Sequence, residues 1–221
     1  STLFPYTALF RSGRGDRLGV LLALGAAADA LASCGRAVEE GRDAYLYLVH
    51  EGTRWVHDAG VQSLRMRGMR LFCCAYGARR RGMETDDAAV YCGLGTLADI
   101  LAAVDRFESF TGVGCGSAVG RGSCAAGGGK RGVRVAVCSD PAVDDRAAEG
   151  VRVAAGLLAS GVLQVSLAFV GDGLRGLAPG AEALVDGREL VMHLGTFRDL
   201  GGRVWEGEES DLGRCFAVMA F

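Results

Sequence analysis

Cys73 and Cys74 stand side by side where the apolar run Met69 to Cys73 stops and the helix-forming run Ala75 to Arg81 begins. In a parallel α/β sheet such a junction is the carboxyl edge of a strand, where reactive groups collect. A thiol there feels the positive end of the following helix dipole, and Arg79, Arg80 and Arg81 follow closely. Both influences favour thiolate, the nucleophilic form. Neighbouring strand residues point to opposite faces. One of the pair is therefore expected to be packed and inert, and the other presented in a positive, partly open pocket. The plain alternative is that both are small buried hydrophobes. If neither faces solvent, a relay of sulfur through this pair loses its footing.

Six further cysteines, Cys34, Cys92, Cys115, Cys124, Cys138 and Cys215, make eight in all. In a chain of this size without an export signal, they read as buried, catalytic or metal-binding thiols rather than a disulfide framework. No C-x-x-C pair occurs and the histidines number three, so a structural zinc site is not expected. His50 and His57 flank an acid–glycine turn. A histidine near a thiolate stabilises it or shuttles a proton; the bland reading of each is a loop histidine.

The elements that must position these residues alternate in type. Asp16 to Gly35 reads as an alanine- and leucine-rich helix ending at glycine. Ala44 to Val49 reads as a buried strand, Trp55 to Met66 as a helix, Met69 to Cys73 as a strand and Ala75 to Arg81 as a helix. Thr96 to Val104 (a helix) and Arg106 to Phe110 (a strand) complete the series. The alternation predicts an α/β fold with mainly parallel sheets. Residues 1 to 12, STLFPYTALFRS, resemble a translated sequencing adapter; on that reading the true first strand is missing or replaced.

From Thr111 to Gly132 the composition turns to glycine, alanine and serine without periodicity, which predicts a flexible linker. The pattern then restarts, with Val133 to Cys138 a strand, Asp145 to Ala159 a helix and Gln164 to Val170 a strand. LYLVHEGTR (Leu46 to Arg54) matches LAFVGDGLR (Leu167 to Arg175), with an apolar strand running into an acid–glycine turn in both. Two related modules follow from this: residues 13–110, a linker over 111–132, and residues 133–221.

Half of the 221 residues are hydrophobic, and 24 basic side chains stand against 26 acidic ones. That balance speaks against a nucleic-acid surface and against disorder. No apolar run approaches the roughly 20 residues of a membrane span. A soluble, cytoplasmic protein is expected.

CAYGARRRG (Cys74 to Gly82) followed by CGLGTLADILAAVDRFESF (Cys92 to Phe110) is similar to the DsrE/TusD branch of the DsrE/DsrF-like sulfur-relay family. The second module resembles the DsrF/TusC branch through Ser139-Asp140-Pro141, the helix after it, FVGDGL with Gly180, and, more weakly, Thr196-Phe197-Arg198 and DLGRCFAV (Asp211 to Val218). The resemblance implies that Cys74 carries sulfur as a persulfide, with His50, Cys92, Arg80 and Arg81 in support. Cys92 stands where the family usually has serine, and is either a resolving thiol or a harmless replacement. In the second module the family's cysteine position falls near Val218, so no reactive residue is carried there. Gly201 to Ser210 looks like an insertion, and the chain stops before the family's last helices and strands, so the second module is expected to be incomplete. The resemblance further implies persulfide donor and cysteine acceptor proteins as partners, assembly with related DsrE/F/H-type subunits, no direct nucleic acid or membrane partner, and no metal or organic cofactor. Three functions stay open: a sulfur carrier of sulfurtransferase type, a non-catalytic assembly or regulatory module, and a redox-responsive thiol protein.

Overall fold

The computed structural model describes residues 16–24, 27–112, 130–207, 215 and 217–221. The adapter-like amino terminus, most of the glycine-rich linker, Cys115 and Cys124 lie outside the described residues.

Five strands, β1 (Leu18–Leu22), β2 (Ala44–Leu48), β3 (Arg70–Cys74), β4 (Val90–Cys92) and β5 (Arg106–Phe110), form one parallel sheet in the order β4-β3-β2-β1-β5. Four more, β6 (Arg131–Val137), β7 (Leu163–Val170), β8 (Arg203–Gly207) and β9 (Ala217–Ala220), form a second parallel sheet in the order β8-β7-β6-β9. The helices are α1 (Ala27–Glu39), α2 (Ala59–Met66), α3 (Ala75–Arg80), α4 (Leu94–Ala103), α5 (Arg146–Ala159) and α6 (Gly187–Asp199). The fold is the expected α/β architecture of two modules with parallel sheets flanked by helices.

Three sequence expectations change. The segment expected to be helical from Asp16 contains β1, so a first strand is present. All five residues of β1 are buried, and a strand buried on both faces is a continuous apolar run that periodicity cannot tell from a buried helix. Gly19 keeps this strand close to its cover: a Cβ there would sit 2.9 Å from the Phe107 ring. Trp55 to Met66 is not one helix. A 3-10 helix spans His50–His57, and Asp58 then caps α2 by accepting from Gly60 N at 2.8 Å and Val61 N at 3.1 Å. The stretch read as an insertion contains β8, and β9 follows it, so the second sheet holds a counterpart to each of β1, β2, β3 and β5.

The repeat extends to backbone detail. His50 and Gly171 both take left-handed conformations, at φ 54° and 56°. Two residues on, a Cβ on Gly52 would collide with the carbonyl of Leu22 at the end of β1, and one on Gly173 with the carbonyl of Val137 at the end of β6. The carbonyl of Phe110 accepts from Ala23 N and Leu24 N, as that of Phe221 accepts from Cys138 N and Ser139 N.

Alternation along the strands divides the first sheet between two cores. Val20, Leu46, Leu48, Leu71 and Cys73 pack under α1 and α2. Tyr45, Tyr47, Phe72 and Cys74 face the other way, into a core that also takes in α4, α5, α6 and one face of the second sheet. The layer between the sheets is thus shared. Close contact there depends on Gly156 of α5, where a Cβ would fall on the Leu94 side chain of α4. Along one edge the sheets nearly continue each other, with Ser109 Oγ of β5 donating to Val218 O of β9 at 2.7 Å.

Candidate thiol site at the boundary of the two modules

Cys74 ends β3 and caps α3, its Sγ accepting from Gly77 N at 3.4 Å. The strand–helix junction expected from the sequence is present, and Cys73 and Cys74 do face opposite sides. Presentation to solvent is the expectation that fails. Both thiols are 0% exposed: Cys73 packs under α1 and α2, while α5 and α6 of the second module close over the face that carries Cys74. In this arrangement neither thiol meets solvent, the outcome set above against a relay through this pair, so a relay requires the enclosing layer to open.

Positive charge does reach the sulfur, from a residue outside the expected set. Arg152 of α5 points Nη2 at Cys74 Sγ from 3.5 Å. The same guanidinium grips Glu149 through Nε and Nη2, each at 2.7 Å, and both members of this pair are buried. Burial pulls the Arg152 pKa down, but the hydrogen bonds and charge of Glu149, with Cys74 behind them, outweigh it and leave it above its ordinary value. The Tyr76 ring lies over the guanidinium at 4.5 Å. Tyr76 is 36% exposed and Arg152 8%, so the tyrosine is the outer layer. A signal for Arg152 existed in the sequence: Glu149 and Arg152 are three apart on a helix otherwise apolar on that side. Such a pair on a core-facing stripe marks a buried ion pair.

The other expected residues take different places. Arg80 Nη2 binds Asp186 at 2.5 Å and its Nη1 binds Glu189 at 3.1 Å, both in the second module, while Tyr76 OH donates to Glu189 at 2.6 Å. Arg81 pairs with Glu51 at 2.8 Å and donates to Gly77 O. His50, also buried, lies with Nε2 2.9 Å from Asp145 Oδ1 across the module boundary. That hydrogen bond leads in holding the Asp145 carboxyl down at about 2. Among the described residues these side chains form a polar seam around Cys74 rather than its hydrogen-bond shell. His57 lies on the surface, 3.5 Å from Asp86. His193 of α6 has its pKa lowered by burial and then by the charge of Arg152, and went unnoticed in the sequence.

Cys92 is the register partner of Cys74 on β4 and shares its core. Burial pushes its thiol up to about 11 against hydrogen bonds from Thr96 and Tyr47 that act to lower it. Cys73 is pushed up to about 12, by burial first. Neither is primed for attack.

In the second module, the register of β7 with β8 sets Gly207 at the place of Cys74 and Glu206 at that of Cys73. Val218, to which the resemblance pointed, lies on β9 beside β6. A thiol is lacking at the equivalent site for a different reason than expected: the strand end is glycine. Among the described residues no cluster of histidine, cysteine and carboxylate side chains forms a metal site, and no helix is long and apolar enough to cross a membrane. The chain matches no protein-family model, no curated protein and no solved structure.

Proposed function

We propose that the chain is a cytoplasmic sulfur-relay protein of DsrE/DsrF-like type, with Cys74 as its sulfur carrier. The observation that carries this reading is the polar surrounding of a buried sulfur: Cys74 Sγ meets a backbone N–H and a guanidinium instead of hydrocarbon alone. In the cycle, the Cys74 thiolate attacks the outer sulfur of a donor persulfide R–S–SH. The donor S–S bond breaks, R–S⁻ leaves, and Cys74 becomes Cys–S–SH with no net oxidation. An acceptor thiolate then takes the terminal sulfur and Cys74 leaves as thiolate. Exchange of this kind requires access to the sulfur, so the closed arrangement is inactive and the seam over Arg152 must open for each transfer. Donor and acceptor cysteine proteins, with related DsrE/F/H-type subunits, are the partners this reading supplies.

Complete burial of Cys74 favours a second reading, a non-catalytic assembly module in which the sulfur is only packing. Intact-mass measurement of the full chain after incubation with a persulfide donor separates the two. Sulfur relay predicts a gain of one sulfur atom that is lost in Cys74→Ser. A wild-type chain that gains none leaves the assembly reading.

A further inference from the structure

We infer that Arg152 is the positioning residue for the anionic sulfur of Cys74, so that the second module completes a site whose nucleophile the first provides. The inference rests on the relay reading above and extends it to a residue from the other half of the chain. Every contact of Arg152 fits the role. Glu149 fixes the guanidinium through Nε and Nη2, Tyr76 stacks on its plane, and Nη2 also reaches Cys74 Sγ at 3.5 Å. A planar, permanently charged fork held this way costs little reorganisation when negative charge appears on the sulfur.

Negative charge appears there twice per cycle. Cys74 is thiolate when it attacks the donor persulfide, and thiolate again when the acceptor thiolate breaks the Cys74 S–S bond and removes the terminal sulfur. The arginine stabilises the nucleophile in the first step and the leaving group in the second. In each step atoms and electrons move only among three sulfurs: the attacking thiolate, the transferred sulfur and the sulfur that leaves. Tyr76 is the outer cover of the guanidinium, so the seam loosens at that ring while Glu149 keeps Arg152 directed at the sulfur.

The test is the rate at which iodoacetamide alkylates Cys74 in the folded full chain at neutral pH, followed by peptide mass mapping. Persulfide loading is read in parallel. Arg152→Met removes the charge and keeps an unbranched apolar stem; the double variant Arg152→Met/Glu149→Gln also removes the carboxylate that the single change strands in the core. Both are expected to alkylate about tenfold more slowly than wild type, the order of factor that one hydrogen bond to a charged group carries, with Arg152→Lys in between. An equal or faster rate in either methionine variant overturns the inference, since Arg152 is then only a cover. A wild-type Cys74 that never reacts in the folded state overturns it as well. Slower alkylation in the variants with no persulfide loading in wild type sinks the relay and leaves the Arg152–Cys74 pairing standing.

Discussion

The two modules share a scaffold down to single backbone contacts, yet they end their third strands differently. In the first, β3 closes with Cys74 at the foot of α3; in the second, β8 closes with Gly207. The first module has a further strand, β4, and α4 on its inner face, while the second contributes α5 and α6 to the same layer. What the second module lacks in sulfur it returns in charge: Arg152, Asp145, Asp186 and Glu189 each bond a residue of the first module, and Glu149 holds Arg152. Of two similar frameworks, one thus carries the thiol and the other encloses it and brings Arg152 to the sulfur.

The framework itself is the part most sensitive to change. Gly52→Ala and Gly173→Ala each place a Cβ on the carbonyl of a neighbouring strand. Both are expected to lower stability by about 3 kcal/mol, the upper part of overpacking costs, in denaturant unfolding. Similar losses support equivalent scaffolds; a loss in one alone breaks the comparison. Next in size, Gly156→Val pushes on Leu94 between α5 and α4. It is expected to cost about 2 kcal/mol and to speed alkylation of Cys74 by loosening the shared layer; unchanged labelling counts against α5 as the cover.

Tyr76→Ala removes the ring over Arg152 and the bond to Glu189. The expected loss is about 1 kcal/mol, within the range for a partly exposed cation–π contact. Its more telling effect is faster modification of Cys74, and a rate equal to wild type rejects Tyr76 as the outer lid. The smallest effect concerns pH. The Asp145 carboxyl is held at about 2, down from 3.8, chiefly by its hydrogen bond with His50. A depressed carboxylate contributes stability that is present above its unfolded pKa and is lost as pH falls through the folded one. Melting temperature is therefore expected to fall between about pH 4 and pH 2, and Asp145→Asn to flatten that part of the curve. An unaltered curve in the variant removes His50–Asp145 from the seam.

Much of this was legible in the residue order. The strands β2, β3, β6 and β7 are short, largely apolar runs, β5 follows a helix-forming stretch, and the Leu46 and Leu167 segments repeat. The junction that places Cys74 at a strand end could be read from the change of pattern at Ala75. By contrast, β1 was misread because an apolar run buried on both faces has no period of its own. The short β4 and the edge strand β8 hold too few inward-facing apolar residues to stand out; Arg203, Trp205 and Glu206 are all exposed.

Local order in the chain determined that a cysteine would sit at a strand end with its neighbour turned to the opposite face, since alternation and helix onset depend on adjacent residues. Whether that cysteine met water, and which cation it met, was decided only by tertiary structure. Burial is set by whatever layer packs on top, and here the layer comes from helices far along the chain, with Arg152 separated from Cys74 by 78 positions. Arg79, Arg80 and Arg81 were nearest in sequence but point to the surface and the seam; Arg152 reached the sulfur because the two sheets share one helical layer.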